Sequence, residues 1–430
     1  MAELKEPSWF LSSGRCSSGN EGVGAWKVVR ASSTPPVPDT VDEVFERFLN
    51  GSPIFKNRDV LRHDYVPDRL PHREDEIQTL AAILAPALRG QKCSNVFIYG
   101  MTGTGKTAVA RYVLDRLTAK ARQVGAPVVA CYVNCRMAGT EYRVLAALCA
   151  SLGVKVPFTG LAKAEVLERF KKALFGREIT FIAMLDEVDV LVKAHGDALL
   201  YELTRLNPEL NGSKICLIGI SNDLTFKDAL DPRVLSSLSE EEMVFRPYDA
   251  AQLRDILWER AKLAFVEGAI SEAVISLCAA LSAQEHGDAR RALDLLRVAG
   301  EIAEREGARQ VRPEHVRMAQ KRIEHDRTVE AVRGLPLHAK LVLLAVYELT
   351  KRASSAITGE IYAAYSALCG RLGLNPLTQR RVSSIINELD MMGLLNAQLV
   401  NMGRYGRTKK IRLAVQRSLV REVLAQEGLA

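Results

Sequence analysis

Short apolar runs alternate with helical periodicities through the first half of the chain, and the alternation stops midway. NVFIYG at 95–100, PVVACYVNC at 127–135, TFIAMLDE at 180–187 and KICLIGIS at 214–221 are almost continuously apolar, the pattern of strands buried on both faces. Amphipathic stretches begin at Lys106 and Glu141 and recur near 197–206, which together predict an α/β fold with a parallel sheet and helices on both faces. From Asp249 to Glu324 only helical spacing remains, as in AAQLRDILWERAKLAF and GDARRALDLLRVAGEIAERE. After Gly334 the pattern becomes helices at 338–352, 358–372 and 377–392, two short strands and a last helix. The predicted organisation is a flexible Gly, Ser and Pro-rich arm at 1–40, an α/β domain at 41–248, a helical domain at 249–334 and a terminal domain at 335–430.

A chain of 430 residues is long enough for several cores. No apolar run approaches the roughly 18 residues needed to cross a bilayer, and the acidic N-terminus lacks the apolar centre of a secretory signal. A cytoplasmic, nucleoid-associated protein without a membrane partner is expected. Of eight cysteines only Cys131 and Cys135 are close, with no second pair to complete a zinc site, so reduced, buried thiols are expected. The net charge of +7 is localised: residues 335–430 carry 13 Lys and Arg against 6 Asp and Glu, and the remainder is balanced. That asymmetry points to a polyanion partner for the last domain.

GMTGTGKT at 100–107 fits G-x-x-x-x-G-K-[ST], between an apparent strand and an apparent helix. Such a loop turns its N–H groups inward on phosphate oxygens at the positive end of a helix. The cradle comprises Gly100, Thr102, Gly103, Thr104, Gly105, Lys106, Thr107 and Ala108. Lys106 is expected to bridge the β and γ phosphates of ATP, and the Thr107 hydroxyl to ligate Mg²⁺. FIAMLDEVD at 181–189 ends a strand in carboxylates: Asp186 is expected in the magnesium shell, Glu187 at the attacking water, and Asp189 as a solvated helix cap. Asn222, ending KICLIGISN, is expected to reach the γ-phosphate or that water.

In the terminal domain, Val382, Ile385, Ile386 and Leu389 fall at i, i+3, i+4 and i+7, a buried stripe that turns Arg380, Ser384 and Asn387 outward. The hairpin after this helix, NMGRYGRTKKIRL at 401–413, has a tip carrying Arg404, Tyr405, Gly406, Arg407, Lys409 and Lys410. Those charges cannot be buried unpaired. With two preceding helices, the recognition-like helix and hairpin make a winged helix suited to duplex DNA.

Taken in order, YVPDRLPHRE, the phosphate loop, YVNCR, VPFTG, LDEVD, ISND, LDPRV, FRPYDAAQL, GDARRALDLL and GRYGRTKKIRL make the chain resemble the AAA+ superfamily. Within it the chain looks like the archaeal origin-recognition and replication-initiator family, related to the eukaryotic origin recognition complex. The resemblance implies an AAA+ nucleotide-binding domain, an α-helical lid and a C-terminal winged helix. It implies that Arg233 is directed at a γ-phosphate, often a neighbour's, and that Arg290, with Arg291 as fallback, is a lid sensor. By the same resemblance Tyr248 and Arg260 pack near the nucleotide, and Val66 and Pro67 line the base pocket. A helix inserted at about 138–161 would lie against DNA. The implied partners are double-stranded origin DNA, the replicative minichromosome-maintenance helicase and a paralogous initiator, with ATP or ADP and Mg²⁺ as cofactors. ATP then acts as a switch with slow hydrolysis. Two other classes share the architecture: a DNA motor of the branch-migration type, with a closed ring and fast turnover, and a signalling or transcription regulator.

Overall fold

The computed structural model describes residues 54–429 except 63, 64, 66, 239, 352 and 402–406. The expected arm at 1–40 therefore lies outside the described residues, as do Val66, Arg404, Tyr405 and Gly406. The first domain runs α1 (Glu74–Leu84), β1 (Val96–Gly100), α2 (Lys106–Val124), β2 (Val128–Asn134), α3 (Cys135–Ala138), α4 (Glu141–Ser151) and α5 (Lys163–Leu174). It continues with β3 (Thr180–Asp186), α6 (Val188–His195), α7 (Ala198–Thr204), β4 (Lys214–Ser221), α8 (Pro232–Leu238) and β5 (Glu241–Phe245). The five strands pair in parallel in the order β2-β3-β4-β1-β5.

Every residue of β3 is buried, so alternate side chains serve two cores. Ile182 and Met184 join Val96, Ile98 and the Val109, Val113 and Leu117 stripe of α2. Phe181, Ala183 and Leu185 join Phe97 and the apolar faces of α4 and α5, including Val144, Leu148 and Phe170. The strand order reverses beside β1, which brings the loop after β1 next to the carboxyl ends of β3 and β4, where open α/β sheets bind ligands. Strand β5 has no apolar run: as an edge strand it buries only Met243 and Phe245.

The helical domain comprises α9 (Ala250–Ala264), α10 (Glu272–Glu285), α11 (Ala289–Arg305) and α12 (Pro313–Arg333). Asp249 and Gln252 form a capping box that starts α9. Ile54, Phe55, Val60 and Leu61 belong to this domain's core. Phe55 stacks on Phe265 at 4.9 Å, and a Cβ at Gly300 would stand 2.4 Å from the Phe55 ring, so only glycine admits that approach.

The last domain has α13 (Leu337–Thr350), β6 (Ala356–Ile357), α14 (Thr358–Arg371), α15 (Gln379–Met391), β7 (Leu395–Asn401), β8 (Arg407–Leu413) and α16 (Arg417–Gln426). Its antiparallel sheet has the order β6-β8-β7, the third strand being the two-residue β6. Val382, Ile385, Ile386 and Leu389 of α15 are buried. Burying each contributes roughly 1.5–3 kcal/mol, enough to fix which face of α15 looks outward. The seven described cysteines are free and buried. Among the described residues no helix is long and apolar enough to cross a membrane.

Candidate nucleotide site and nucleic-acid face

Close approach dictates the glycines of the phosphate loop. A Cβ at Gly100 would lie 2.4 Å from the Phe245 carbonyl oxygen, and Gly103 (φ 70°) and Gly105 (φ 90°) adopt left-handed backbone. Lys106 opens α2, and its Nζ donates to the carbonyls of Gly100 (2.8 Å) and Met101 (2.7 Å). Burial, and then the nearby charge of Arg290, push its pKa down to about 8. The Thr107 hydroxyl and the Tyr132 hydroxyl both donate to one oxygen of Asp186 at 3.0 Å, and the Glu187 N–H donates to the other at 3.0 Å. A hydroxyl and a carboxylate held together at a helix N-terminus are hard oxygen donors that fit Mg²⁺.

Glu187 has left-handed backbone (φ 52°, ψ 43°), a costly conformation for a residue with a Cβ, at the junction of β3 and α6. Its carboxylate accepts from Arg136 Nε at 2.5 Å. Asp189 is not the solvated cap expected from sequence. It is buried in the first turn of α6 between Val188 and Leu191, which pack on the sheet, and its Oδ1 has no hydrogen-bond partner among the described residues.

A cavity of about 640 Å³ gathers these groups between the sheet edge and the helical domain. Pro67, Gly103, Thr104, Gly105, Lys106, Thr107, Ala108, Asp186, Glu187, Asn222, Tyr248, Arg260 and Arg290 all line it. Gly100 and Thr102 shape the loop from outside the lining; Thr102 instead donates to Asp288 at 3.5 Å. Of the two lid arginines, Arg290 faces the cavity, whereas Arg291 pairs with Glu285 at 2.7 Å. Arg260 buttresses the wall rather than reaching across it: it donates to the carbonyls of Val60 (3.2 Å) and Tyr65 (3.3 Å) and lies 4.6 Å from the Tyr65 ring. Arg233 is outside the cavity, its side chain 70% exposed and bonded to Asp231 of its own turn at 3.3 Å.

Two arginines at the site escape sequence reasoning. Arg136 holds the Glu187 carboxylate, and Arg73 lies buried against the phosphate loop. Arg136 stands next to the end of a strand aligned with Asp186, the one available signal; Arg73 has none, because its partners are 31 to 175 residues away apart from Glu76.

On α15, Arg380 and Asn387 are exposed and Ser384 is half-buried. Lys409, on β8, donates to Asn387 Oδ1 and so joins the hairpin to the helix. Lys409 and Lys410 both lie on β8, where strand alternation sets them on opposite faces, Lys409 with the buried Ile411 and Lys410 with Arg412, which bonds Gln398 at 3.5 Å. Arg407 opens β8. The segment at about 138–161, expected to lie against DNA, contains α4, after which the exposed Phe158 ring lies 4.9 Å from the Arg143 guanidinium.

Three family models match successive segments: an AAA ATPase domain at 69–218, a Cdc6 AAA+ ATPase-type lid domain at 254–321 and a CDC6 C-terminal winged helix domain at 330–423. The ORC1-type DNA replication protein of Thermococcus onnurineus is 54% identical over 380 residues, covering 87% of this chain and 92% of that protein. The chain belongs to the ORC1-type DNA replication protein family. ORC1-type DNA replication protein 1 of Archaeoglobus fulgidus is 51% identical over 384 residues, covering 89% of this chain and 94% of that one. The solved structure of the Aeropyrum pernix ORC1 protein in complex with DNA superposes with a TM-score of 0.80 at 54% identity, covering 88% of this chain and 98% of that one. Membership in this family bears out the expected architecture of AAA+ domain, lid and winged helix, and the resemblance to archaeal origin-recognition proteins.

Proposed function

We propose that this chain is an ATP-dependent replication initiator that binds double-stranded origin DNA and helps recruit the replicative minichromosome-maintenance helicase, acting alone or with a paralogous initiator. One convergence carries the proposal: the phosphate loop, Asp186, Glu187, Asn222 and the lid's Arg290 share a single cavity on a chain whose excess positive charge lies in its winged helix. The Aeropyrum ORC1 relative, solved with DNA, supports the same reading.

Lys106 and the loop N–H groups hold the phosphates of ATP, while Tyr248, Pro67 and Arg260 wall the base end. The family resemblance assigns Val66 to the same pocket. Mg²⁺, when bound by Thr107 and Asp186, supplies charge neutralisation at the phosphates. Glu187 orients and deprotonates the attacking water, and Asn222 steadies it. Arg290 is compensated only when a γ-phosphate faces it, so the lid closes in the ATP state and relaxes after slow hydrolysis. Arg233, exposed and away from its own cavity, suits the nucleotide of a neighbouring subunit.

On the DNA side, Arg380, Ser384 and Asn387 face the groove, and Arg404, Tyr405, Gly406, Arg407, Lys409 and Lys410 meet the backbone. Footprinting on the organism's own chromosomal DNA, with ATP and with ADP, tests the assignment. Protection at a replication origin that is lost on replacing Arg404 and Arg407 by Ala is expected. Protection scattered evenly over the chromosome, or unchanged in that variant, contradicts it.

A further inference from the structure

Arg73 sits where three parts of the molecule meet, and it is 5% exposed. Its Nε–H is shared between the Thr104 carbonyl of the phosphate loop and the Tyr248 hydroxyl, each at 3.0 Å. One terminal nitrogen donates to the Arg246 carbonyl just past β5 (2.6 Å) and the other to Glu76 on α1 (2.7 Å). The guanidinium lies 4.1 Å from the Tyr248 ring centre. Only a planar fork of donors can serve acceptors in this arrangement; a lysine ammonium reaches one or two and cannot stack in the same way.

Tyr248 connects onward to the lid. Its N–H donates to the Gly287 carbonyl at 3.2 Å, and a Cβ at Gly287 would lie 2.3 Å from the Tyr248 carbonyl oxygen. Gly287 immediately precedes Asp288, the side chain that caps α11 and accepts from the Arg290 N–H at 2.8 Å. On the other side, a Cβ at Gly105 would stand 2.7 Å from the Tyr248 hydroxyl, so the loop is packed directly against the same phenol.

We propose that Arg73 is a positioning residue that couples the lid to the phosphate loop through Tyr248, so that displacing the first turn of α11 is transmitted to the Thr104 carbonyl and alters how tightly the loop holds a nucleotide. This rests on the nucleotide-site reading above. It adds a route separate from the direct hydrogen bond in which the Ala289 N–H donates to the Gly103 carbonyl at 3.1 Å.

The test is the release rate of a fluorescent ADP analogue from the full chain, with melting temperature recorded alongside. Arg73→Ala would strand Glu76 and two carbonyls and confound folding with function, so Tyr248→Phe, Arg73→Lys and their combination are used. Tyr248→Phe keeps the ring and removes only the shared hydroxyl. Each single variant should release ADP about tenfold faster, the scale of one broken charge-assisted hydrogen bond, while melting within a few degrees of wild type. The double variant should be no faster than the faster single, because both break one link. Release at the wild-type rate in Tyr248→Phe, or rates that multiply in the double variant, overturns the coupling while leaving the nucleotide site intact. A wild-type chain that binds no ADP overturns both.

Discussion

Lys106 is a lysine that the fold holds partly against its own charge, and nucleotide binding should reverse that. Its side chain is 4% exposed, and burial together with Arg290 lowers its pKa from 10.5 to about 8. A fall of that size corresponds to roughly 3 kcal/mol favouring the neutral amine. The sign follows from proton counts: between pH 8 and 10.5 the unfolded chain holds more protons at this site than the native one, so this site's contribution to the nucleotide-free protein's stability rises with pH across that window. Below pH 8 the penalty is fully present. Phosphates pull the other way, because they stabilise the ammonium. If binding restores an ordinary lysine pKa, ADP affinity falls about tenfold by pH 9 and about a hundredfold by pH 10 relative to neutral pH. Calorimetry in buffers of different ionisation enthalpy reads the effect directly, as uptake of close to one proton per ADP at about pH 9. In Lys106→Arg, whose side chain stays charged, the uptake should vanish even though binding is weaker. Equal uptake in wild type and Lys106→Arg would show that the proton goes to a group other than Lys106.

Other substitutions separate geometry from chemistry. Gly103→Ala would place a Cβ 1.7 Å from Asp288 Oδ1 at a φ of 70°, so ADP affinity measured by calorimetry should drop at least about tenfold, whereas Gly125→Ala, at the same φ with open space around it, should cost only about 1–2 kcal/mol of stability. Arg136→Ala releases the Glu187 carboxylate and should raise steady-state phosphate release several-fold; a fall would show that Arg136 assists the reaction instead of restraining it. In salt titrations of duplex binding, Lys409→Ala should lower the slope by about 0.9, the share of one phosphate that the wing no longer neutralises. Lys410→Ala, on the opposite face of the ladder, should lower it by a similar amount, and an unchanged slope would remove Lys410 from the contacts with DNA.

Strands β1, β3 and β4 can be read from sequence because strands covered on both faces must be apolar throughout. Edge strand β5, with three of its five residues exposed, and the two-residue β6 leave no such trace. The stripe of α15 is visible because one helix face carries it alone. Asp189 misleads a reader of the sequence since its burial depends on how α6 packs, not on its own neighbours along the chain. Arg73 stands in the YVPDRLPHRE stretch. Its meaning comes from Thr104, Arg246 and Tyr248, which only the tertiary fold brings together. The adjacent lid arginines leave open which one faces the cavity, and the Glu285 ion pair of Arg291 decides it in favour of Arg290.

Fluorescence anisotropy of labelled origin duplex, titrated at low ionic strength with the ATP-loaded and then the ADP-loaded chain, addresses the core of the account. Tight binding in both states, with affinity or bound geometry that differs between nucleotides and weakens steeply as salt rises, is the predicted outcome. Duplex affinity that is absent at low salt, or identical whichever nucleotide is bound, would contradict it.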